Sequence, residues 1–486
     1  MSQNNSQVAR GALFTALAQY LQFGLGFLGG MILYRLIAPE YWTVLAIATP
    51  WTSYLNFFRF DFSPAVISGS DESRFLSTHF WLENVTAALA FPLAALVWLV
   101  LPASIKPAPS VWAFIFILLA LYQFQAFAST SRYLTEKRLQ YQTLSGFTFV
   151  QSVLGFVTPI TLAWLGWYLP AVLATVLIPG IVPAIGVLWH TRFLPKWQFD
   201  RDSARVLLRT GYLMWTNGLL GKVVYEFDDW LVGNVQKNRT PLWTGSGGTV
   251  PAFYSRAYNA GKMPMDVFAG FIGSIALSLY ASALREGKER FLAVYRQLTW
   301  LLVYLIAFSS GVALLATEEV VLILMGPKWP HVVPLFRLMS GFILSRPLYQ
   351  NIIQALWVLK EEKAARTTTA LQALILVLAG IPAVWFWGAA GVSVVVSVMA
   401  LAGWLLAEWY LQRATGEQLW QVYLLPSLAL LSGLVFGTWL VGLLPLSSPF
   451  WAIMAVKVLA IALPLGAVLA LWERNTLLAA IRLIRK

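Results

Sequence analysis

Long uncharged runs alternate with short polar ones along almost the whole chain. Residues 11–34, 84–101, 111–131 and 297–317 contain no Asp, Glu, Lys or Arg. A helix of roughly 20 apolar residues crosses about 30 Å of hydrocarbon, so each run predicts one transmembrane helix. Residues 139–191 are also uncharged but too long for one pass, and the turn Gly166-Trp167-Tyr168-Leu169-Pro170 divides them into two. By the same reading 367–407 splits near Gly388-Ala389-Ala390-Gly391, and 418–456 splits near Pro445 to Pro449. Four further passes carry charge within or beside them, at 41–60, 207–227, 252–282 and 333–358. The pattern therefore predicts an all-α polytopic membrane protein of about fourteen transmembrane helices. The first run lacks a small-residue cleavage site and is long enough to span, so it is expected to be a membrane helix and not a cleaved leader.

Lysine and arginine then orient the chain. With the amino terminus inside, alternate loops place 23 of the 34 basic residues on the cytoplasmic side and 5 on the outer side. Every inner loop carries at least one, as the positive-inside rule requires. Both termini are expected in the cytoplasm. The tail 477–486 alternates apolar and basic residues, which suits either an inner-surface helix or a frayed end.

Composition agrees with this picture. Hydrophobic residues make up 59% of the 486 and charged residues 11%, against about 25% charged in a soluble domain. The 23 Trp suit helix ends held at two lipid–water interfaces. The absence of cysteine excludes disulfides, thiolate nucleophiles and Cys-ligated metals, and three scattered histidines argue against a zinc site. The net charge of +13 lies along one side of a membrane protein, so it reads as topology signal and lipid-headgroup contact, and no nucleic acid is expected as a partner.

Two inner loops look alike. Arg132-Tyr133-Leu134-Thr135-Glu136-Lys137 follows the fourth pass, and Trp357-Val358-Leu359-Lys360-Glu361-Glu362-Lys363 follows the tenth. Each precedes a pair of apolar helices with a short outer turn. A displacement of six passes predicts two halves of the same orientation, as in many transporters built from repeats. The expected organisation is a first lobe over 1–205, a second over 206–415, and two appended helices with a basic tail over 416–486.

Ionisable residues inside spans are expensive, so they normally face protein or water. Pass two ends in Arg59-Phe60-Asp61. Pass seven carries Lys222, Glu226, Asp228 and Asp229, of which Lys222 and Glu226 stand four apart and could simply pair. On pass eight, Arg256, Asn259, Lys262 and Asp266 fall within about 120° of one another on a helix. That stripe faces either a cavity or an ion-pair seam, and Pro264 permits a bend within it. Arg337, near the start of pass ten, could snorkel outward, whereas Arg346 precedes Pro347 near midspan. Guanidinium groups grip phosphate oxygens in pairs and keep their charge. A cavity holding several would suit a bulky pyrophosphate-linked sugar, with nearby carboxylates for a coupling cation.

Several short motifs resemble one family. They are Arg35-Leu36-Ile37-Ala38-Pro39-Glu40-Tyr41, Asp61 with Ala65-Val66-Ile67, Asp229-Trp230-Leu231-Val232-Gly233, and Tyr254-Ser255-Arg256-Ala257-Tyr258-Asn259 before Pro264. Met325-Gly326-Pro327-Lys328-Trp329 with Val333-Pro334-Leu335-Phe336-Arg337 is the most specific, and Gly388-Ala389-Ala390-Gly391-Val392 completes the order. In sequence and spacing they resemble the polysaccharide and O-antigen flippases of the multidrug/oligosaccharidyl-lipid/polysaccharide exporter superfamily. Trp42, Ser63-Pro64 and an insert at 236–250 depart from the family pattern. The resemblance implies two six-helix lobes around a V-shaped cavity lined by passes one, two, seven and eight, with the last two helices appended. It implies a bacterial inner-membrane location and export of an undecaprenyl-pyrophosphate-linked oligosaccharide from the cytoplasmic to the outer leaflet by alternating access. The partners it implies are membrane lipids, glycosyltransferases and a polysaccharide polymerase.

The residues expected to bind substrate are Arg35, Arg59, Asp61, Arg256, Asn259, Lys262, Asp266 and Arg346. Those expected to serve ion coupling, with H+ or Na+, are Glu226, Asp228 and Asp229. No other cofactor, no metal and no catalytic residue is expected. Two alternatives remain at this point. One is export of small amphipathic compounds on the same architecture. The other is a membrane glycosyltransferase or polymerase using Asp228-Asp229 at the outer surface, which the lack of a large outer domain disfavours.

Overall fold

A computed structural model describes residues 2–102, 106–235, 249–264, 270–417, 421–445 and 449–474. Among them every regular element is a helix. The chain divides into two compact units. One comprises Met1–Asn238, Gly248–Ala252 and Leu324–Lys328, and the other Arg239–Gly247, Phe253–Ile323 and Trp329–Lys486.

The first unit holds α1 (Ser2–Leu36), α2 (Pro39–Leu55), α3 (Ser63–Ser68), α4 (Ser73–Ala88), α5 (Ala90–Val100), α6 (Pro109–Lys137), α7 (Tyr141–Trp164), α8 (Tyr168–Thr191) and α9 (Arg201–Asn234). Prolines open α2, α3 and α6, where the missing N–H would lack a helical partner anyway. α1 lies along α7, α8 packs on α6 and α7, and α2 joins α6 to α9. α9 also packs on α3 and α4, so it sits wholly with the first unit; the lobe boundary expected at 205/206 falls in its second turn. Asp200 caps α9: its Oδ2 accepts the Ser203 N–H at 2.8 Å. Hydrogen bonds from Ser203, the side chain first and then the N–H, hold the Asp200 carboxyl below the usual carboxylate range.

The second unit holds most of α10 (Val250–Pro264), then α11 (Gly270–Glu286), α12 (Lys288–Leu315), α13 (Thr317–Met325) up to Ile323, α14 (Val332–Leu338), α15 (Ser340–Val358), α16 (Glu362–Thr415), α17 (Gln421–Leu443) and α18 (Phe450–Leu471). Its core gathers Tyr280, Phe291, Tyr295, Ile306, Ile352 and Leu411 from α11, α12, α15 and α16. α17 and α18 pack on each other and on α12. α16 is two helices. Gly388, at φ 61° and ψ −145°, breaks it, and a methyl group on Gly403 would overlap the side chain of Gln372. In a straight helix these residues would stand about 46 Å apart. The chain therefore doubles back at the Gly388 turn that the sequence marks.

The fourteen expected passes fall on α1, α2, α4 with α5, α6 to α9, α10 with α11, α12, α14 with α15, the two halves of α16, α17 and α18. Large apolar side chains point outward along them. Trp164, Trp451 and Trp472, at helix ends, are 80%, 69% and 70% exposed, as aromatic belts at a bilayer interface require. Hydroxyls within the helices return to backbone carbonyls four residues back, as Thr52 does to Ala48 and Ser152 to Thr148, which spares them an unsatisfied place in lipid.

The repeat is visible in backbone detail. After α6, the N–H groups of Arg138, Leu139 and Gln140 donate to Leu134, Glu136 and Thr135. After α15, those of Leu359, Lys360 and Glu361 donate to Ala355, Trp357 and Leu356, with the same offsets. Leu139 and Lys360, at φ 54° and 61°, occupy matching left-handed positions. The pairs Gly166 with Gly388 and Arg192 with Gly416 are also left-handed, again roughly 220 residues apart. Two of these positions bear non-glycine residues in both or one copy, so the turns persist despite a steric cost.

Candidate functional site

In the first unit α2 unwinds into a short 3-10 turn, Asn56–Phe58, and Arg59 follows in extended conformation. Its guanidinium is turned back toward α4, where Nε donates to Glu83 Oε1 at 3.4 Å. The ring of Tyr122 on α6 lies 5.7 Å from it, a cation–π distance. The other side of Arg59 lines a cavity of about 360 Å³, with Gln22, Gln125, Tyr133, Gln151 and Arg132 among the lining residues. This lining offers amide and hydroxyl donors and acceptors beside two guanidinium groups, one of which, Arg132, is held by Glu136 at 2.9 Å.

Behind Arg59 lies a polar cluster that the sequence reading missed. Glu83 and His79 stand four residues apart on α4, at 1% and 0% exposure. His79 Nδ1 is 2.9 Å from Thr130 Oγ1 on α6. Hydropathy places the third span from residue 84, just past Glu83. The helix actually begins at Ser73 and carries both groups into the packed interior.

The remaining candidates of this unit divide. Asp61 is exposed, and its Oδ1 accepts the Ser63 N–H at 2.9 Å in the link that leads into α3. Arg35 ends α1, donating to Met31 O at 3.0 Å. Its stem lies against Gly326, whose φ of 84° needs no Cβ there, and Lys328 reaches Leu36 O at 3.2 Å. Two motifs 290 residues apart in sequence thus form one corner, and Arg35 is not among the residues lining the Arg59 cavity. Lys222 donates to Ser53 O at 3.3 Å, and Glu226 binds the Ser53 side chain. Glu226, the buried Asp228 and Asp229 all act electrostatically on Tyr54, so the three expected coupling carboxylates share one α2–α9 neighbourhood. Trp51, donating to Asn234 Oδ1 at 2.7 Å, closes its far end.

In the second unit α10 packs through Tyr254, Ala257, Tyr258 and Gly261, which are buried. Gly261 lies against Ile343 and Phe342 of α15. Ser255, Arg256, Asn259 and Lys262 occupy the other face and are partly or fully exposed. The polar stripe therefore lies on the side of α10 away from its contact with α15. Asp266 lies outside the described residues, as does most of the 236–250 insert.

Arg346 differs from expectation. It is 2% exposed, its Nη1 donates to Gln372 Oε1 at 2.7 Å, and it lies 5.3 Å from the Tyr349 ring. It fastens α15 to α16 and in this conformation presents no surface to a headgroup. Arg337 is exposed and paired with Glu318 at 3.1 Å. Lys457 on α18 pairs with Glu319 on α13 at 2.6 Å, both nearly buried.

A family model described as "Polysaccharide biosynthesis protein" matches residues 32–334. The succinoglycan biosynthesis transport protein ExoT of Rhizobium meliloti is 23% identical over 339 residues, which are 69% of this chain and 66% of that protein, just under two thirds of its length. Among solved structures, lipid II flippase MurJ in an inward closed conformation superposes with a TM-score of 0.72 at 13% identity, covering 94% of this chain and 98% of that one. An inward-facing multidrug resistance MATE family transporter of the MOP superfamily gives 0.55 at 14% identity, covering 82% and 96%. At these identities the structural likeness speaks to the fold.

Proposed function

Since the chain belongs to the polysaccharide biosynthesis protein family, we propose that it is a flippase for a lipid-pyrophosphate-linked oligosaccharide. It carries its substrate from the cytoplasmic to the outer leaflet of the bacterial inner membrane by alternating access and makes or breaks no covalent bond. The observation that carries this reading is the polar face of α10. Arg256, Asn259 and Lys262 stand on a membrane-spanning helix, opposite the face that packs. Facing lipid, each charge would cost about 3 kcal/mol or more. Facing water and a pyrophosphate, the same groups supply bidentate, permanently charged contacts. Arg59, at the wall of a polar cavity in the first unit, supports the same preference for an anionic, sugar-bearing headgroup.

The remaining elements of the reading follow. Glu226, Asp228 and Asp229 are the positions for a coupling cation, H+ or Na+. Glycosyltransferases would supply the substrate inside, and a polymerase would consume it outside. The named activity of MurJ, flipping lipid II, is an instance of the same operation. The test is chromosomal replacement by Arg256→Ala. The expected result is loss of surface polysaccharide with normal amounts of the protein in the membrane, and partial recovery with Arg256→Lys. Normal polysaccharide from Arg256→Ala would overturn the reading.

A further inference from the structure

Arg59 separates a polar cavity from a buried carboxylate. It lines the 360 Å³ cavity of the first unit, its Nε contacts Glu83 Oε1 at 3.4 Å, and the side chains are 27% and 2% exposed. Glu83 itself is not part of the cavity lining. Its second oxygen, Oε2, is buried with no hydrogen-bond partner, and so is Nε2 of His79. The two face each other at 3.9 Å. His79 cannot rotate freely to serve Glu83, because Nδ1 is engaged by Thr130. A buried polar atom without a partner is costly in a packed helical interior, and two such atoms opposed invite a shared proton.

Among the described residues, few other charges surround Glu83. Arg59 and Asp61 act on it from the link after α2, and Tyr133 faces it from α6. From α9, Lys222 acts on Arg59. Arg59 is the nearest countercharge.

We propose that Glu83 is a proton-binding site linked to headgroup binding at Arg59. The inference deepens the flippase reading and rests on it. An anionic pyrophosphate entering the cavity competes with Glu83 for the Arg59 guanidinium. Two phosphate groups in bidentate contact outbid one carboxylate at 3.4 Å. As Arg59 turns to the ligand, a buried carboxylate is left without its countercharge. A proton from water binds Oε2, and the new O–H lies opposite His79 Nε2. No other bond forms or breaks. Linkage makes the converse true: protonating Glu83 frees Arg59 and tightens headgroup binding.

The experiment is calorimetric titration of the purified full chain with a farnesyl pyrophosphoryl sugar. This probe is a diester whose own charge is constant near neutral pH. Runs in two buffers of different ionisation enthalpy count the protons taken up. Wild type is expected to take up about one proton per probe bound, with affinity falling up to tenfold per pH unit as pH rises. Glu83→Gln is expected to bind without proton uptake, with affinity independent of pH and higher than wild type at alkaline pH. Infrared difference spectra of wild type should show a protonated-carboxyl band on adding the probe, which keeps the test alive if Glu83→Gln fails to fold. Binding without uptake, uptake that persists in Glu83→Gln, or affinity that depends on sodium and not on pH would overturn the proton site alone. Failure of wild type to bind the probe would overturn the flippase reading beneath it.

Discussion

The ion pair between Glu319 and Lys457 offers a sharp test of how the last helix is held. Lys457 Nζ and Glu319 Oε1 are 2.6 Å apart, with side chains 10% and 8% exposed. Lys457 is the one charged residue of α18, and Glu319 lies in the first turn of α13, where the helix dipole adds to its stability. Breaking such a pair from one side strands the partner's charge, at a cost of about 3–5 kcal/mol. Lys457→Met should lower stability by about that amount, and Glu319→Gln should act in the same direction. The double variant leaves no charge behind, so it should return to within about 1 kcal/mol of wild type. The coupling between the two sites should then be several times the roughly 0.5 kcal/mol expected of independent residues. At roughly 2 °C per kcal/mol, the single variants should lose about 6–10 °C of Tm. Thermal unfolding of the four proteins in one detergent, at one heating rate because membrane proteins rarely refold, gives the comparison. A double variant that falls by the sum of the two singles would refute the argument.

Two other perturbations probe different links. Gly403→Ala should displace Gln372 and loosen its bond to Arg346, costing about 1–3 kcal/mol, and Gly403→Ala combined with Gln372→Ala should recover part of that Tm loss. Asp200 has a depressed carboxyl pKa in the folded protein through its bond to Ser203. Its contribution is therefore present above the unfolded carboxylate range and lost as pH falls through the folded value; the exchange protection factor of the Ser203 amide, taken relative to its intrinsic rate at each pH, should fall with acid in wild type and be low at all pH in Asp200→Ala.

Much of the architecture was legible because a bilayer constrains sequence strongly. The uncharged runs mark helices, and the turns at Gly166 and Gly388 lie where the chain reverses. The likeness of the two inner loops reappears as identical hydrogen-bond offsets at Leu139 and Lys360. The stripe on α10 was readable from helical spacing alone. What escaped depends on pairing between passes. Arg346 and Gln372 are 26 residues apart, and nothing in the local sequence reveals that they meet. Arg59 and Glu83 are 24 apart, and a hydropathy reading moves Glu83 into a loop because it assigns charge to the ends of spans. Asp61 looked like a membrane charge, yet it is exposed and its Oδ1 accepts the Ser63 N–H two residues on. A residue's cost in lipid can be read from composition, whereas its partner can be read only from the packing.

Movement of a pyrophosphate-linked sugar across a bilayer can be followed in reconstituted vesicles. Proteoliposomes would be loaded with a fluorescent polyprenyl-pyrophosphoryl oligosaccharide on both leaflets, and an impermeant sugar-cleaving enzyme added outside. With wild-type protein the enzyme should consume nearly all of the substrate, while with Arg256→Ala or empty vesicles it should stop at the outer-leaflet half. Protection of the inner half in wild-type vesicles that retain correctly folded protein, under an imposed H+ or Na+ gradient of either sign, would contradict the account.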